Sequence, residues 1–211
     1  MKLHCHYCRS VFSNCYILGT DLPPAPADPV LPREAIIIDP GEMDRNILMF
    51  IEDNNYTLKG IFITHDHPCH VNGLATIMRI YDTEIFAINP LIKNHRATLV
   101  RDEDIITVGP FKVQVLSVPG HSADSAVFKI ERFLFTGDAL TAGLIGSTVS
   151  SYAAATQVSV LRSKVLSLPG DYTVLPGHGP PSSLKAERRF NMGIESFEAQ
   201  KNRRPVFRVN L

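Results

Sequence analysis

The sequence has no tryptophan, only four cysteines and no excess of charge of either sign. Four cysteines in 211 residues are too few for a disulfide framework, which favours a reducing compartment. The 21 basic and 21 acidic side chains cancel, which argues against nucleic-acid binding, since that normally needs a basic excess. No apolar run approaches the roughly 20 residues that span a bilayer, and no signal-peptide core follows Met1. We therefore expect a cytoplasmic protein that binds neither nucleic acid nor membrane.

The length suits a single domain over residues 1–211, and the 45% apolar content is ordinary for a globular protein. Five prolines in residues 21–33 predict an exposed loop, because proline cannot donate to a strand ladder. Residues 184–211 predict a C-terminal helix and tail, with seven basic and three acidic side chains from Lys185 onward. The basic face of this helix is either solvated, or a contact in a homo-oligomer, or a handle for an anionic substrate.

Strand and helix patterns are mixed along the chain. Residues 35–39 (AIIID) and 60–64 (GIFIT) are typical of strands buried on both faces. Helical spacing of apolar residues occurs in four segments, namely 43–54, 71–81, 152–168 and 184–200. Many of the strands follow one another in antiparallel succession. The pattern predicts an α/β (α+β) fold in which helices cover the outside of two sheets.

The first strand has a strict alternation. Leu3, Cys5 and Tyr7 alternate with His4 and His6, which predicts a buried face for the first set and an exposed face for the histidines. Cys5 and Cys8 form a C-x-x-C pair, but their odd separation puts them on opposite faces of a strand. We therefore expect a plain strand here rather than a metal or redox motif.

Polar side chains follow four of the predicted strands. The segments are 64–70 (THDHPCH), 119–122 (PGHS), 136–138 (TGD) and 176–179 (PGHG). Functional groups gather where rigid strands pass into loops. Imidazoles and a carboxylate are ligands that zinc prefers, and they also suit iron or manganese. The order and placement of these segments predict a metal site for a small-molecule substrate.

These segments resemble the signature of the metallo-β-lactamase fold superfamily, T-H-x-H-x-D-H followed by a distal His, an Asp and a final His. The resemblance implies a four-layer αββα sandwich with a metal pair at one edge. It implies that His65, His67 and His121 hold one metal, that position 69, His70 and His178 hold the other, and that Asp138 bridges them. Residues 135–146 (FTGDALTAGLIG) and 176–183 (PGHGPPSS) are most similar to glyoxalase II-like thioester hydrolases.

Cys69 departs from the signature, where aspartate is usual. A thiolate keeps the charge of minus one, but it has one ligand atom where a carboxylate has two. Three interpretations follow: Cys69 ligates the second metal in an active enzyme, the second site is weak and one metal binds, or the site is degenerate. The implied catalytic residues are Asp138 and Cys69.

We therefore predict a metal-dependent hydrolase of a thioester or small acyl ester, with one or two zinc ions per chain. A mononuclear-iron oxygenase of the persulfide dioxygenase kind is the alternative, with His65, His121 and Asp138 as a two-His-one-carboxylate face. The third hypothesis is a metal-binding protein without catalysis. The run after Gly146 (STVS) lacks the Arg and Asp of the glyoxalase II-like pattern, so a glutathione thioester is not the expected substrate.

Overall fold

The computed structural model describes residues 1–21 and 33–202, so most of the predicted proline-rich loop and the end of the tail lie outside the described residues. In chain order the strands are β1 (Lys2–Cys8), β2 (Ser13–Gly19), β3 (Arg33–Ile38), β4 (Tyr56–Phe62), β5 (Glu84–Ala87), β6 (Leu91–Ile92), β7 (His95–Arg96), β8 (Thr98–Leu99), β9 (Ile105–Val108), β10 (Phe111–Ser117), β11 (Ala126–Ile130), β12 (Phe133–Gly137), β13 (Leu140–Thr141), β14 (Leu144–Ile145), β15 (Thr173–Pro176) and β16 (Ser182–Ser183). The helices are α1 (Arg45–Asp53), α2 (Pro68–Val71), α3 (Leu74–Ile80), α4 (Ser151–Val160), α5 (Leu184–Phe190) and α6 (Met192–Asn202), and a π-helical turn (Leu161–Val165) continues α4.

The longer strands form two mixed sheets. The first has the order β1-β2-β3-β4-β5-β8, and the second has the order β16-β15-β12-β11-β10-β9. In the second sheet β12 pairs in parallel with β15, so their carboxyl ends lie side by side. This pairing brings the residues after Gly137 next to those after Pro176.

Three apolar clusters correspond to the spaces between four layers. Residues such as Phe62 and Ile38 of the first sheet pack against Phe128 and Phe135 of the second, in the space between the sheets. The other face of the first sheet packs under α1, α2 and α3, and the other face of the second packs under α4 and its π-helical turn. The predicted αββα sandwich is confirmed. Among the described residues no helix combines the length and the apolar character needed to cross a bilayer.

The predicted faces of the first strand are wrong. Cys5 is exposed and Tyr7 is 52% exposed, whereas the His6 side chain is only 10% exposed. The cause is that β1 is an edge strand, so the second sheet leaves most of its inner face uncovered. Its other face lies against α1, where the ring of His4 stacks on Phe50 at a centroid distance of 3.9 Å.

Two predicted helices are interrupted. The segment 71–81 contains the end of α2 and then α3, and the segment 184–200 contains α5 and most of α6. The second break lies at Asn191, which leaves helical geometry with ψ 100°. Its side-chain amide donates to the Leu144 carbonyl and to the Glu187 carboxylate. The contact with Leu144 joins residues 47 positions apart, so local periodicity could not show the break.

Candidate metal centre

The predicted ligands come from the segments that follow β4, β10, β12 and β15, and two of them, Cys69 and His70, lie in the short helix α2. The structure brings them together in two sets. In the first set, one ligand atom from each of His65, His67, His121 and Asp138 lies within 4.8 Å of every other. In the second set the same is true of Cys69, His70 and His178. All seven residues predicted from the sequence therefore lie in two groups that could each hold an ion, and their role as ligands stays a proposal.

The carboxylate of Asp138 lies between the two sets. Its Oδ2 atom is 3.5 Å from Nε2 of His121 and 3.6 Å from Nε2 of His178, which belong to different sets. Its Oδ1 atom is 3.4 Å from Nε2 of His70. A carboxylate in this position has one oxygen available to each set, which is what a bridging ligand needs.

Some buried polar atoms at the centre have no hydrogen-bond partner, and the imidazoles of the first set face one another. Nε2 of His70 and Oδ1 of Asp138 are buried and have no hydrogen-bond partner. In the first set Nδ1 of His67 lies 2.9 Å from Nε2 of His65 and 3.1 Å from Nε2 of His121. Buried polar atoms left unpaired are costly, and a cation between them would satisfy them together. Nitrogen, sulfur and carboxylate donors suit zinc, and they also accept iron or manganese.

Backbone carbonyls orient two of the imidazoles. The carbonyl of Phe12 lies 2.7 Å from Nδ1 of His178, and the carbonyl of Ser147 lies 2.8 Å from Nδ1 of His121. Because a carbonyl only accepts, each Nδ1 carries a proton, so Nε2, which faces Asp138, is the atom that a neutral ring offers to a metal. Such outer partners fix the ring orientation of metal-binding histidines.

Sequence reasoning missed Asp39, which supports the site from behind. Its carboxylate is buried and accepts from the backbone N–H of Thr64 at 2.8 Å and from the hydroxyl of Thr64 at 2.6 Å. Burial raises the pKa of Asp39 to about 6, although the nearby His70 acts in the opposite direction. A signal was present, since Asp39 ends a buried apolar run (AIIID) just as the ligand segments do.

The electrostatics favour a thiolate at Cys69. Burial by itself would raise the pKa of this thiol, but the adjacent imidazoles of His178 and His70 lower it to about 7. Burial likewise opposes the charge of Asp138, but the contact with His70 and the surrounding imidazoles lower its pKa to about 2. Burial and the neighbouring His70 lower the pKa of His65 to about 2, so this ring stays neutral and can donate its lone pair. Neutral imidazole and thiolate are the forms that bind metal.

Two glycines make room for the site. A Cβ atom at Gly177 would lie 2.5 Å from Oδ1 of Asp138 and 2.6 Å from Cε1 of His70. A Cβ atom at Gly146 would lie 1.9 Å from the carbonyl oxygen of Asp138. Only glycine therefore allows these loops to approach the candidate ligands so closely.

The loop beside the site is uncharged. Residues 146–150 (GSTVS) contain no ionisable side chain, and the carbonyl of Ser147 contacts His121. Within this loop Val149 is 93% exposed, and Tyr152, just after the loop, is 81% exposed. The loop that contacts His121 therefore carries an exposed apolar side chain and no cationic one.

Comparison with known proteins agrees with this geometry. The family model of the metallo-beta-lactamase superfamily matches residues 12–178. The chain belongs to the metallo-beta-lactamase superfamily. The match covers the described residues that form the candidate metal centre, and it places the chain in a hydrolase-like family whose members bind metal ions.

Individual relatives cover different shares of the chain. A hydroxyacylglutathione hydrolase from Idiomarina loihiensis is 34% identical over 146 residues, which are 69% of this chain and 56% of that protein. The probable metallo-hydrolase YqgX of Bacillus subtilis is 25% identical over 187 residues, 78% of this chain and 89% of that protein. The crystal structure of ETHE1 from Myxococcus xanthus superposes with a TM-score of 0.77 at 25% identity, covering 96% of this chain and 91% of that one. The chain thus spans little more than half the length of the hydroxyacylglutathione hydrolase.

Proposed function

We propose that the protein is a metal-dependent hydrolase that binds two ions and acts on a thioester or a small acyl ester. The observation that carries the proposal is the position of Asp138 between two complete sets of donor atoms, one of which contains Cys69. If the second site were degenerate, nothing would require the sulfur of Cys69 to lie within reach of His70 and His178.

In this proposal His65, His67 and His121 hold one ion, Cys69, His70 and His178 hold the other, and Asp138 contacts both. Zinc is the proposed metal, with iron or manganese as alternatives that the donor set also accepts. Bound metal of this kind lowers the pKa of a coordinated water and polarises a carbonyl. The residues contribute position and charge: Asp138 and Cys69 each supply one negative charge, and the neutral imidazoles supply none.

The proposed substrate class rests on the similarity to a known hydrolase and on the side chains of the loop beside the site. The similarity to a hydroxyacylglutathione hydrolase supports a thioester. The uncharged loop 146–150 and the exposed Val149 and Tyr152 favour a neutral acyl or thiol group over the glutathione moiety, which carries two carboxylates and one ammonium group. We therefore propose that simple acyl thioesters are turned over better than glutathione thioesters.

The decisive experiment compares Cys69→Ala with the parent protein after purification under reducing, anaerobic conditions. The variant should contain one metal ion per chain fewer than the parent and should lose about 10²–10⁴-fold in thioester turnover, the usual size of such a contribution. Cys5→Ser is the matched control, because Cys5 is an exposed thiol on β1, away from the site. Equal metal content in Cys69→Ala and the parent would remove Cys69 from the ligand set.

The two other hypotheses give different results in the same measurements. A single iron, together with oxygen consumption and no thioester turnover, would favour the oxygenase with His65, His121 and Asp138 as its ligand face. Metal binding with neither activity would favour a non-catalytic protein. The cytoplasmic location, the small-molecule partner, the absence of nucleic-acid and membrane partners, homo-oligomerisation and the single domain over residues 1–211 stay predictions from the sequence.

A further inference from the structure

A second group of metal-binding side chains lies outside the candidate metal centre. It consists of His6 and Cys8 on β1 and Glu42 in the loop between β3 and α1, which we call the hairpin cluster. One ligand atom of each residue lies within 4.8 Å of the other two. The hairpin cluster shares no residue with the seven ligands proposed above, so it is independent of the proposed function.

His6 points into this cluster without a hydrogen-bond partner. Its side chain is 10% exposed, and its Nε2 atom is buried and makes no hydrogen bond. The nearest acceptors are Oε1 of Glu42 at 3.6 Å and Oδ2 of Asp44 at 3.5 Å. These distances exceed the usual 2.7–3.2 Å of an N–H···O hydrogen bond, so neither carboxylate accepts a hydrogen bond from His6. Two atoms bound to one tetrahedral zinc are about 3.3 Å apart, which is closer to what is observed.

The carboxylate of Glu42 is fixed by the turn that joins β1 to β2. Oε1 accepts from the backbone N–H of Arg9 at 2.8 Å, and Oε2 accepts from the backbone N–H and the hydroxyl of Ser10. Each carboxylate oxygen has two acceptor positions, so Oε1 keeps one that is free on the side of His6. Glu42 is thus held in place before any ion binds, and its position costs no further ordering of the side chain.

Cys8 completes the set from the same face of the strand. It is two residues from His6, and residues two apart on a strand project to the same side. Its side chain is fully buried beneath the α1 side of the first sheet. Asp44 caps α1, because its Oδ1 accepts from the backbone N–H of Ile47. Its Oδ2 lies 3.5 Å from Nε2 of His6 and can serve as the fourth ligand atom.

We propose that His6, Cys8 and Glu42, with Asp44 or water as a fourth ligand, form a structural zinc site. One imidazole nitrogen, one thiolate and one or two carboxylate oxygens are the donors that tetrahedral zinc accepts, whereas magnesium and calcium prefer oxygen alone. The negative charges of a Cys8 thiolate and of the Glu42 carboxylate would balance a dication. Entry is from the side of Glu42 and Asp44, whose side chains are 17% and 33% exposed.

The site would join two parts of the chain that support the candidate metal centre. The β1–β2 turn contains Phe12, whose carbonyl orients His178. The loop of Glu42 begins at Asp39, whose carboxylate contacts Thr64 and His70. A zinc ion at the hairpin cluster would therefore stabilise the backbone behind both halves of the second ligand set.

The first test uses cobalt in place of zinc, because thiolate ligation to cobalt gives an intense charge-transfer absorption. The background is Cys69→Ser, which removes the thiolate of the candidate metal centre. We expect this protein to keep the absorption, to lose it when Cys8→Ser is added, and to keep it when Cys5→Ser is added as the control. Loss of the absorption in Cys69→Ser alone, or its persistence after Cys8→Ser, would overturn the proposal.

The second test counts ions and does not require a Cys8 variant. His6→Gln and Glu42→Gln keep similar side-chain shapes, and each should lower the bound zinc by one ion per chain relative to the parent. His4→Gln is the matched control, because His4 lies on the same strand but outside the cluster. Added zinc should also raise the thermal midpoint of the chelator-treated parent more than that of His6→Gln. An unchanged zinc content in both variants would show that the hairpin cluster holds no ion.

Discussion

The carboxylate of Asp39 lies 3.5 Å from Nδ1 of His70, and both side chains are almost completely buried. The proposed ligand atom of His70 is its other nitrogen, Nε2, which faces Asp138 at 3.4 Å. His70 is therefore held between two carboxylates, one in the candidate ligand set and one behind it. An outer carboxylate in this position fixes the ring and makes its free nitrogen a better ligand.

We predict that Asp39→Asn weakens metal binding at the second ligand set by about 10–100-fold, the usual effect of removing an outer partner of a ligating histidine. The measurement is competition with a chromogenic chelator at constant pH. Asp53→Asn is the control, since Asp53 is an exposed carboxylate at the end of α1. Equal affinity in the parent and Asp39→Asn would mean that Asp39 serves only the backbone and hydroxyl of Thr64.

The thiol of Cys69 should titrate near neutral pH when no cation is bound. Its pKa is lowered to about 7, and the thiolate is the form that reacts with iodoacetamide. The rate of alkylation of Cys69 in chelator-treated protein should therefore rise as the pH passes through about 7, whereas burial raises the pKa of Cys5 and delays its reaction to higher pH. Peptide mass spectrometry separates the two residues.

Zinc should protect Cys69 from this reaction and leave Cys5 unprotected. Alkylation of Cys69 only above the pH range of Cys5, or at the same rate with and without zinc, would contradict both the lowered pKa and the role of Cys69 as a ligand. Cys5 thus acts as an internal control within every sample.

Gly177→Ala should damage the candidate metal centre more than the fold. The added Cβ would overlap with Asp138 and His70, so we expect metal affinity to fall by on the order of tenfold or more while the far-UV circular dichroism is retained. Gly179→Ala should instead lower the stability of the fold and leave metal binding unchanged. A Cβ there meets nothing within 4 Å, but φ is +82°, so stability should fall by roughly 1–2 kcal/mol without loss of metal. Equal metal binding in both variants would show that the close approach at Gly177 is not needed.

Arg188→Ala should destabilise the C-terminal helices. The guanidinium donates to the carbonyls of Leu166, Leu168 and Gly170, which follow the π-helical turn. We expect the free energy of unfolding in urea to fall by about 1–2 kcal/mol, because three carbonyls lose a charged donor and exposure to water offsets part of the loss. Arg189→Ala is the neighbouring control, since Arg189 is exposed and lies over Phe190. A similar small change in both variants would show that the contacts of Arg188 are dispensable.

Local pattern was sufficient for most elements. The apolar runs of β3 and β4 and the helical spacing of Ile47 and Ile51 in α1 are short-range signals, and the structure confirms them. The exposed face of β1 and the break at Asn191 could not be read in this way. The first depends on which neighbours an edge strand has, and the second depends on contacts with Glu187 and Leu144.

The sequence by itself determined the family and the set of candidate ligands, because each ligand lies in a short segment that can be recognised from its own few residues. It also singled out Cys69 as the departure from the usual pattern. Only the tertiary structure decided that Cys69 lies with His70 and His178, and that Asp39 lies behind His70. The same is true of His6, Cys8 and Glu42, since the turn after β1 and the loop after β3 meet only when the first sheet has formed. The physical reason is that strand pairing, and not spacing in the chain, determines which distant side chains share one small volume.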